Sequence, residues 1–169
     1  MLEFRGSETE KNLTVAMTEA SVAAHKYLFY AERAKNEGYF NVADVFGEFA
    51  HNNKEHTKIW YKWLNGQQIP NTLQNLQDSV NFENYASTTC AEFAIKAREE
   101  GFENIADLFV HVAQIENTHG QRFKQLASSL KNAVYDYSGQ SGYVCDVCGC
   151  LIEQENPPVV CPLCLNQDV

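Results

Sequence analysis

The sequence contains an internal repeat, and this repeat constrains the fold more than any other feature. When the chain is shifted by 63 positions, residues 34–56 superpose on residues 97–119, and nine of these 23 pairs are identical. Chance would give about one or two identical pairs in a repeat search of this kind. The identical pairs include Gly38 with Gly101 and His56 with His119. The chain therefore contains two copies of one structural unit.

The repeated unit has the pattern of a helical hairpin. Apolar residues recur every three or four positions over most of residues 7–135, which predicts α-helices. Residues 7–10 have the form of a capping box, and Gly38, Gly66 and Gly101 interrupt the pattern. Residues 66–78, with Pro70 and many Asn and Gln, are predicted to be a crossover loop, and the third helix is predicted over about 79–100. Two hairpins joined by a crossover predict an all-α four-helix bundle.

The charge of the chain excludes some classes of partner. The net charge is −9, from 22 acidic and 13 basic residues, and no cluster of Lys or Arg occurs. A surface that binds nucleic acid needs such a cluster, so a nucleic-acid partner is not expected. No apolar run approaches the ~20 residues that span a bilayer, and the first eleven residues have no signal-peptide pattern. We expect a soluble, cytoplasmic protein without a membrane partner.

The C-terminal segment carries the motif with the most specific chemistry. Cys145 and Cys148 form one C-x-x-C pair, and Cys161 and Cys164 form another, with twelve residues between the pairs. Two such knuckles direct four thiolates at one tetrahedral metal ion. The spacing fits an iron centre and also a structural zinc ribbon. Cys150 lies outside both knuckles and is not expected to be a ligand.

A second candidate site lies in the predicted fourth helix. Glu116 and His119 form an E-x-x-H motif, and residues three apart lie on one face of a helix, so both can reach the same ion. The repeat places His56 at the position equivalent to His119, and Asn53 at the position equivalent to Glu116. Two histidines at equivalent points of a duplicated bundle are predicted to point inward together.

The chain resembles the rubrerythrin family over nearly its whole length. The resemblance is carried by KNLTVAMTEASVAAHKYLFYAERAKNEGY (11–39), KEH (54–56), AREEGFENIADLF (97–109) and IENTH (115–119), while the tail resembles a rubredoxin domain. The resemblance implies a ferritin-like four-helix bundle over residues 1–135, a linker over 136–142 and a rubredoxin-like four-cysteine iron domain over 143–169.

The resemblance also implies a set of bundle ligands. In the family each helix supplies a glutamate, and Glu83 precedes Glu116 by the 33 positions that the family uses. Glu83, Glu116 and His119 therefore match one complete half-site, and these are the expected catalytic residues, with His56 as a further metal ligand. The positions 63 residues before Glu83 and Glu116 hold Ala20 and Asn53, so the first half-site lacks both carboxylates.

The missing carboxylates affect how many ions the bundle can hold. Uncompensated charge in a low-dielectric interior costs several kcal/mol, and two carboxylates balance only one divalent ion. We expect one iron in the bundle, with two irons, or an empty site filled by hydrogen bonds, as alternatives.

The resemblance implies an oxidoreductase of the peroxidase type that protects against oxidative stress. An external reductase would charge the four-cysteine iron, which passes electrons to the bundle metal, where hydrogen peroxide is reduced; the protein would be a homodimer. Zinc is a possible substitute for the iron. The alternative is a non-enzymatic metal-binding or electron-carrier protein, in which the bundle is only a dimer scaffold; the vacancies at Ala20 and Asn53 favour it.

Overall fold

The structure is a computed structural model that describes residues 3–132, 143–145, 147–152 and 159–166. Four long α-helices dominate it: α1 (Glu8–Asn36), α2 (Phe40–Leu64), α3 (Thr72–Glu99) and α4 (Glu103–Asn132). Two short strands, β1 (Tyr143–Val144) and β2 (Leu151–Ile152), pair antiparallel in the C-terminal segment, with Tyr143 opposite Ile152. The predicted all-α fold with a small cysteine-rich C-terminal element is confirmed.

The helices pack in two hairpins, α1 with α2 and α3 with α4. The chain forms two compact units, Met1–Pro70 and Asn71–Val169, with one hairpin in each. The predicted boundary between helical domain and tail, at residues 136–142, lies outside the described residues.

The two hairpins turn in the same way. Gly38 and Gly101 both have a φ of 85°, the left-handed region that favours glycine. In the first turn, Gly38 N–H donates to Lys35 and Tyr39 N–H donates to Ala34. The equivalent residues of the second turn make the same two bonds, which define a Schellman motif. The sequence repeat therefore extends to the hydrogen bonds of the turns.

Small residues line the contact between the helices of each hairpin. Ala31, Ala34, Ala43 and Ala50 are buried in the first hairpin. Each of them has a buried alanine 63 positions later in the second hairpin, at Ala94, Ala97, Ala106 and Ala113. Because alanine has the smallest side chain that still favours helix, these positions let two helix backbones approach closely. Close approach is what brings side chains of α3 and α4 within reach of one ion.

The helix starts match one prediction and correct another. Ser7 caps α1 by accepting from Glu10 N–H, as predicted, although the Glu10 carboxylate accepts from Gly6 rather than from Ser7. The predicted loop over residues 66–78 is wrong in its second half, because α3 already begins at Thr72. Asn71 and Gln74 form a full capping box there, so two polar residues that suggested a loop instead start a helix.

A search of the described helices for a membrane span finds none that is sufficiently long and apolar.

Candidate metal centres

The two C-x-x-C knuckles have the same backbone structure. In the first, Gly149 N–H donates to Cys145 O, and Cys145 N–H donates to Cys150 O. In the second, Leu165 N–H donates to Cys161 O, and Cys161 N–H donates to Asn166 O. The residue after each second cysteine has a positive φ, 75° at Gly149 and 59° at Leu165. The two knuckles therefore have the same local backbone conformation.

The four cysteine sulfurs form one compact group. The Sγ atoms of Cys145 and Cys164 lie 3.7 Å apart, those of Cys148 and Cys161 lie 3.6 Å apart, and all four lie within 4.8 Å of one another. A tetrahedral ion with metal–sulfur bonds of ~2.3 Å needs sulfurs ~3.8 Å apart. The donor set and its spacing therefore fit a four-coordinate metal ion. Cys145 and Cys161 are buried, whereas Cys164 is exposed to solvent.

The backbone around Cys161 favours its thiolate form. Burial alone would raise the pKa of this thiol, but the N–H groups of Cys164 and Leu163 donate to its sulfur and bring the pKa down to about 6. Burial instead raises the pKa of the Cys148 thiol to about 12. Without a cation, the group can hold few negative charges at once. A bound cation would compensate the remaining thiolates. Cys150, predicted not to be a ligand, is not part of the group of four and is half-buried.

A second group of candidate ligands joins α3 and α4. His119 Nδ1 lies 3.1 Å from Glu116 Oε2 on the same helix and 3.9 Å from Glu83 Oε2 on α3. The three candidate ligand atoms lie within 4.8 Å of one another. The structure thus brings together Glu116 and His119, which the E-x-x-H motif paired, and Glu83, which the family resemblance added.

The carboxyl groups of Glu83 and Glu116 interact through a side-chain hydrogen bond and through their charges. Burial first, and then the neighbouring Glu116, raise the pKa of Glu83 from 4.5 to about 7. A carboxyl group with this pKa is about half-protonated near neutral pH. A divalent ion between Glu83 and Glu116 would replace the proton, so the donor set fits a metal site.

A glycine that sequence analysis did not single out permits this arrangement. Gly120 follows His119 on α4, and a Cβ added there would lie 3.1 Å from Asn84 Oδ1 and 3.4 Å from Glu83 Cβ. The backbone of α4 therefore passes very close to α3 at the point where Glu83 faces α4. The only sequence signal was a glycine inside a helix, which usually has a packing reason.

The first hairpin has a different arrangement at the equivalent positions. Ala20 is buried, whereas its neighbour Glu19 is exposed. The Asn53 side chain donates to the Phe49 carbonyl of its own helix. His56, the remaining predicted ligand, is exposed on α2 and does not belong to either group of candidate ligands found among the described residues.

The two candidate centres touch through one glycine. A Cβ added at Gly149 would lie 2.6 Å from His119 Nε2, 3.3 Å from His119 Cε1 and 3.7 Å from Ile115 Cγ2. The backbone of the first knuckle is therefore in contact with the imidazole of the second group. Sequence analysis could not have found this contact, because the two residues lie in different segments that no motif connects.

Comparison with known proteins finds relatives over nearly the whole chain. Residues 11–127 match the family model described as rubrerythrin. A rubrerythrin from Porphyromonas gingivalis is 34% identical over 96% of this chain and 88% of that relative. A rubrerythrin from Nitratidesulfovibrio vulgaris is 33% identical over 98% of this chain and 94% of that relative. A solved structure of nigerythrin in a mixed-valence state has a TM-score of 0.43 and 22% identity, and covers 99% of this chain and 88% of that chain.

Proposed function

Since this chain belongs to the rubrerythrin family, we propose that it is an oxidoreductase that reduces hydrogen peroxide with electrons received through its cysteine group. Cys145, Cys148, Cys161 and Cys164 would hold one iron. Glu83, Glu116 and His119 would hold a second metal ion, where peroxide reacts. Such a relay needs a metal whose oxidation state changes reversibly by one electron, and iron meets this need. Zinc in the cysteine group could not carry electrons, because Zn²⁺ does not change its oxidation state.

The observation that carries this proposal is the contact between Gly149 and His119. The cysteine group has one side at the solvent, through Cys164, and another side against the imidazole of the carboxylate and histidine group, through Gly149. A structural zinc knuckle has no need to touch a second ligand group. An electron relay does need two adjoining centres, one of them accessible from outside.

The exposed side of the cysteine group suits an external electron donor. Leu165 and Val159 are 74% and 81% exposed near Cys164 in the chain. The last 35 residues contain five acidic residues and no Lys or Arg. Because opposite charges accelerate protein encounter, we propose a reductase with a basic patch as the donor. Two electrons from this donor and two protons convert one hydrogen peroxide into two water molecules.

We further propose that the helical part of the chain holds one metal ion rather than two. Glu83 and Glu116 offer two negative charges, which balance one divalent ion. The equivalent positions of the first hairpin offer none, because Ala20 is apolar and the Asn53 amide is bound to its own helix. Exposed Glu19 cannot take the place of Ala20, since adjacent helical residues point ~100° apart.

The protein is proposed to be a cytoplasmic homodimer. Large apolar side chains are exposed on both hairpins, including Phe29 and Phe40 on the first and Phe82 and Tyr85 on the second. Exposed apolar residues in this number favour burial against another protein surface. A second copy of the chain is the proposed partner.

The lack of carboxylates at Ala20 and Asn53 in the first hairpin favours one alternative function. If the Glu83, Glu116 and His119 group holds no redox metal, the chain is a metal-binding or electron-carrier protein whose helices serve as a scaffold. The alternative differs from the main proposal in metal content, so the two can be separated directly.

Elemental analysis of protein purified from iron-rich cells tests the proposal. We expect close to two irons per chain, one in each group. Close to one iron, held by the cysteines alone, would favour the carrier. Close to three irons per chain would contradict the proposal that the helical part holds one metal ion. In the variant with both Ala20→Glu and Asn53→Glu, the restored carboxylates should raise the content toward three.

A further inference from the structure

The contact between Gly149 and His119 is close enough to hold the imidazole in place. A Cβ at Gly149 would lie only 2.6 Å from His119 Nε2, a distance that real Cβ atoms do not show. The glycine backbone therefore packs directly on the Nε2 edge of the ring, beside Ile115 of the same helix. The ring cannot move toward the knuckle.

Backbone conformation alone does not explain the glycine at position 149. Leu165 occupies the equivalent position of the second knuckle, with the same hydrogen bond and a φ of 59°. A side chain is thus accommodated in this left-handed position when nothing faces it, since Leu165 is 74% exposed. The difference at position 149 is the imidazole of His119. Glycine is needed there for close approach.

The opposite edge of the same imidazole belongs to the second group. His119 Nδ1 lies 3.1 Å from Glu116 Oε2 and 3.9 Å from Glu83 Oε2. The ring is therefore held between the knuckle on one edge and two carboxylates on the other. A displacement of the knuckle would allow the ring to turn away from the carboxylates. A ligand that is free to turn binds metal more weakly than one that is fixed.

The position of Gly149 depends in turn on the cysteine group. Its N–H donates to Cys145 O, 2.9 Å away, within the turn that carries Cys145 and Cys148. A metal ion in the group would join this turn to the second knuckle, because Cys148 Sγ lies 3.6 Å from Cys161 Sγ. An empty group leaves the first knuckle without that link.

We propose that filling the cysteine group fixes Gly149 against His119 and thereby increases the affinity of Glu83, Glu116 and His119 for their own metal ion. Gly149 is a positioning residue in this account. The inference rests on the proposed function, since it requires that these three residues bind metal. Linkage is reciprocal, so an ion in the second group also increases the affinity of the cysteines.

Manganese(II) is a suitable probe, because it prefers carboxylate and imidazole over thiolate ligands. Its binding is measured by the loss of the electron paramagnetic resonance signal of free Mn²⁺. One sample is the protein with one zinc in the cysteine group. The other is the Cys161→Ser and Cys164→Ser double variant without zinc, which leaves the first knuckle unaltered. We expect the zinc-filled protein to bind Mn²⁺ at least about five-fold more tightly, the lower end of typical couplings.

Variants at the contact decide whether Gly149 carries the effect. Gly149→Ala with zinc bound should bind Mn²⁺ no more tightly than the protein with an empty cysteine group. Leu165→Ala, at the equivalent position of the other knuckle, should retain the difference in Mn²⁺ affinity between the filled and the empty cysteine group. If Gly149→Ala fails to hold zinc, Ile115→Ala reduces the same contact from the side of α4 and should also diminish the difference.

Two results would overturn the inference, and they can be told apart. Equal Mn²⁺ affinity with the cysteine group filled and empty would exclude the linkage but leave the proposed metal site intact. Mn²⁺ binding that is absent, or unchanged in Glu116→Ala, would overturn both the linkage and the proposed site.

Discussion

The imidazole of His119 lies with Nδ1 3.1 Å from Glu116 Oε2, one helical turn earlier on α4, and with its Nε2 edge against Gly149. The three-residue spacing places Glu116 and His119 on one face of the helix. Because the same ring touches both candidate centres, changes at His119 and its neighbours are expected to affect metal binding as well as the contact between the centres.

Loss of His119 should empty the second group. His119→Ala removes one of three candidate ligands, so we expect metal affinity to fall by more than the 10–100-fold that loss of a ligand's hydrogen-bond partner costs. His56→Ala should have a smaller effect, because exposed His56 belongs to neither group of candidate ligands. Iron content after anaerobic reconstitution measures both. Equal losses in the two variants would show that His56 is a ligand of the same ion.

The stability of the metal-free protein should depend on the protonation of Glu83. Burial and Glu116 raise the pKa of Glu83 to about 7 in the folded protein, against 4.5 for the free side chain. The folded state therefore binds a proton that the unfolded chain has released between these two pH values. The contribution of Glu83 to stability should be fully present below pH 4.5 and should be lost, by up to about 3 kcal/mol, as pH rises through 7.

Urea denaturation of chelator-treated protein across this pH range measures the effect. Glu83→Gln removes the titrating group and should reduce the fall in stability. Glu92→Gln, an exposed position on the same helix, should leave it unchanged. A fall that persists in full in Glu83→Gln would assign the pH dependence to other groups.

The cysteine group should give the iron-loaded protein its colour. Protein purified without oxygen and loaded with iron should be red after oxidation, with thiolate-to-iron bands that bleach on reduction. Cys161→Ser should abolish these bands, because it removes a buried candidate ligand. The helical circular dichroism should remain, since the helices have their own alanine-lined contacts. A colourless protein with one tightly held zinc, even from iron-rich medium, would contradict electron transfer through this group.

Close packing of α4 on α3 should be necessary for the second group. Gly120→Ala places a Cβ 3.1 Å from Asn84 Oδ1 and 3.4 Å from Glu83 Cβ, so we expect weaker metal binding. Gly47→Ala is the matched control, because it lies inside α2 with no atom within 4 Å of the added Cβ. The control should gain up to about 1 kcal/mol of stability from helix propensity. Metal affinity that is equal in the two variants would show that the close approach is not needed.

Sequence predicted the helical hairpins because the repeat preserves the features that form them. Gly38 and Gly101 supply the left-handed residue of each turn, and the repeated alanines supply the contact between helices. The E-x-x-H motif, with its three-residue spacing, paired Glu116 with His119, and the family resemblance added Glu83. These features are local or periodic, so they can be recognised without a structure.

Two features depended on contacts that sequence patterns do not express. The early start of α3 follows from the capping box of Asn71 and Gln74, whose residue types also occur in loops. The approach of Gly149 to His119 joins segments that are 30 positions apart and have different secondary structure. A glycine after a C-x-x-C pair is expected for its backbone conformation alone. The sequence therefore did not indicate that Gly149 also contacts His119.

The most direct test of the account is the reoxidation of the reduced cysteine iron by hydrogen peroxide. The iron-loaded protein is reduced without oxygen and mixed rapidly with peroxide, and the return of the red colour is followed. We expect Glu116→Ala to slow this return at least about ten-fold relative to the unmodified protein, because it removes a candidate metal ligand of the second group. Glu92→Ala, at an exposed position of α3, should reoxidise at the unmodified rate. Reoxidation of Glu116→Ala at the unmodified rate would show that peroxide reacts without the second group, and would contradict the proposed route of electrons.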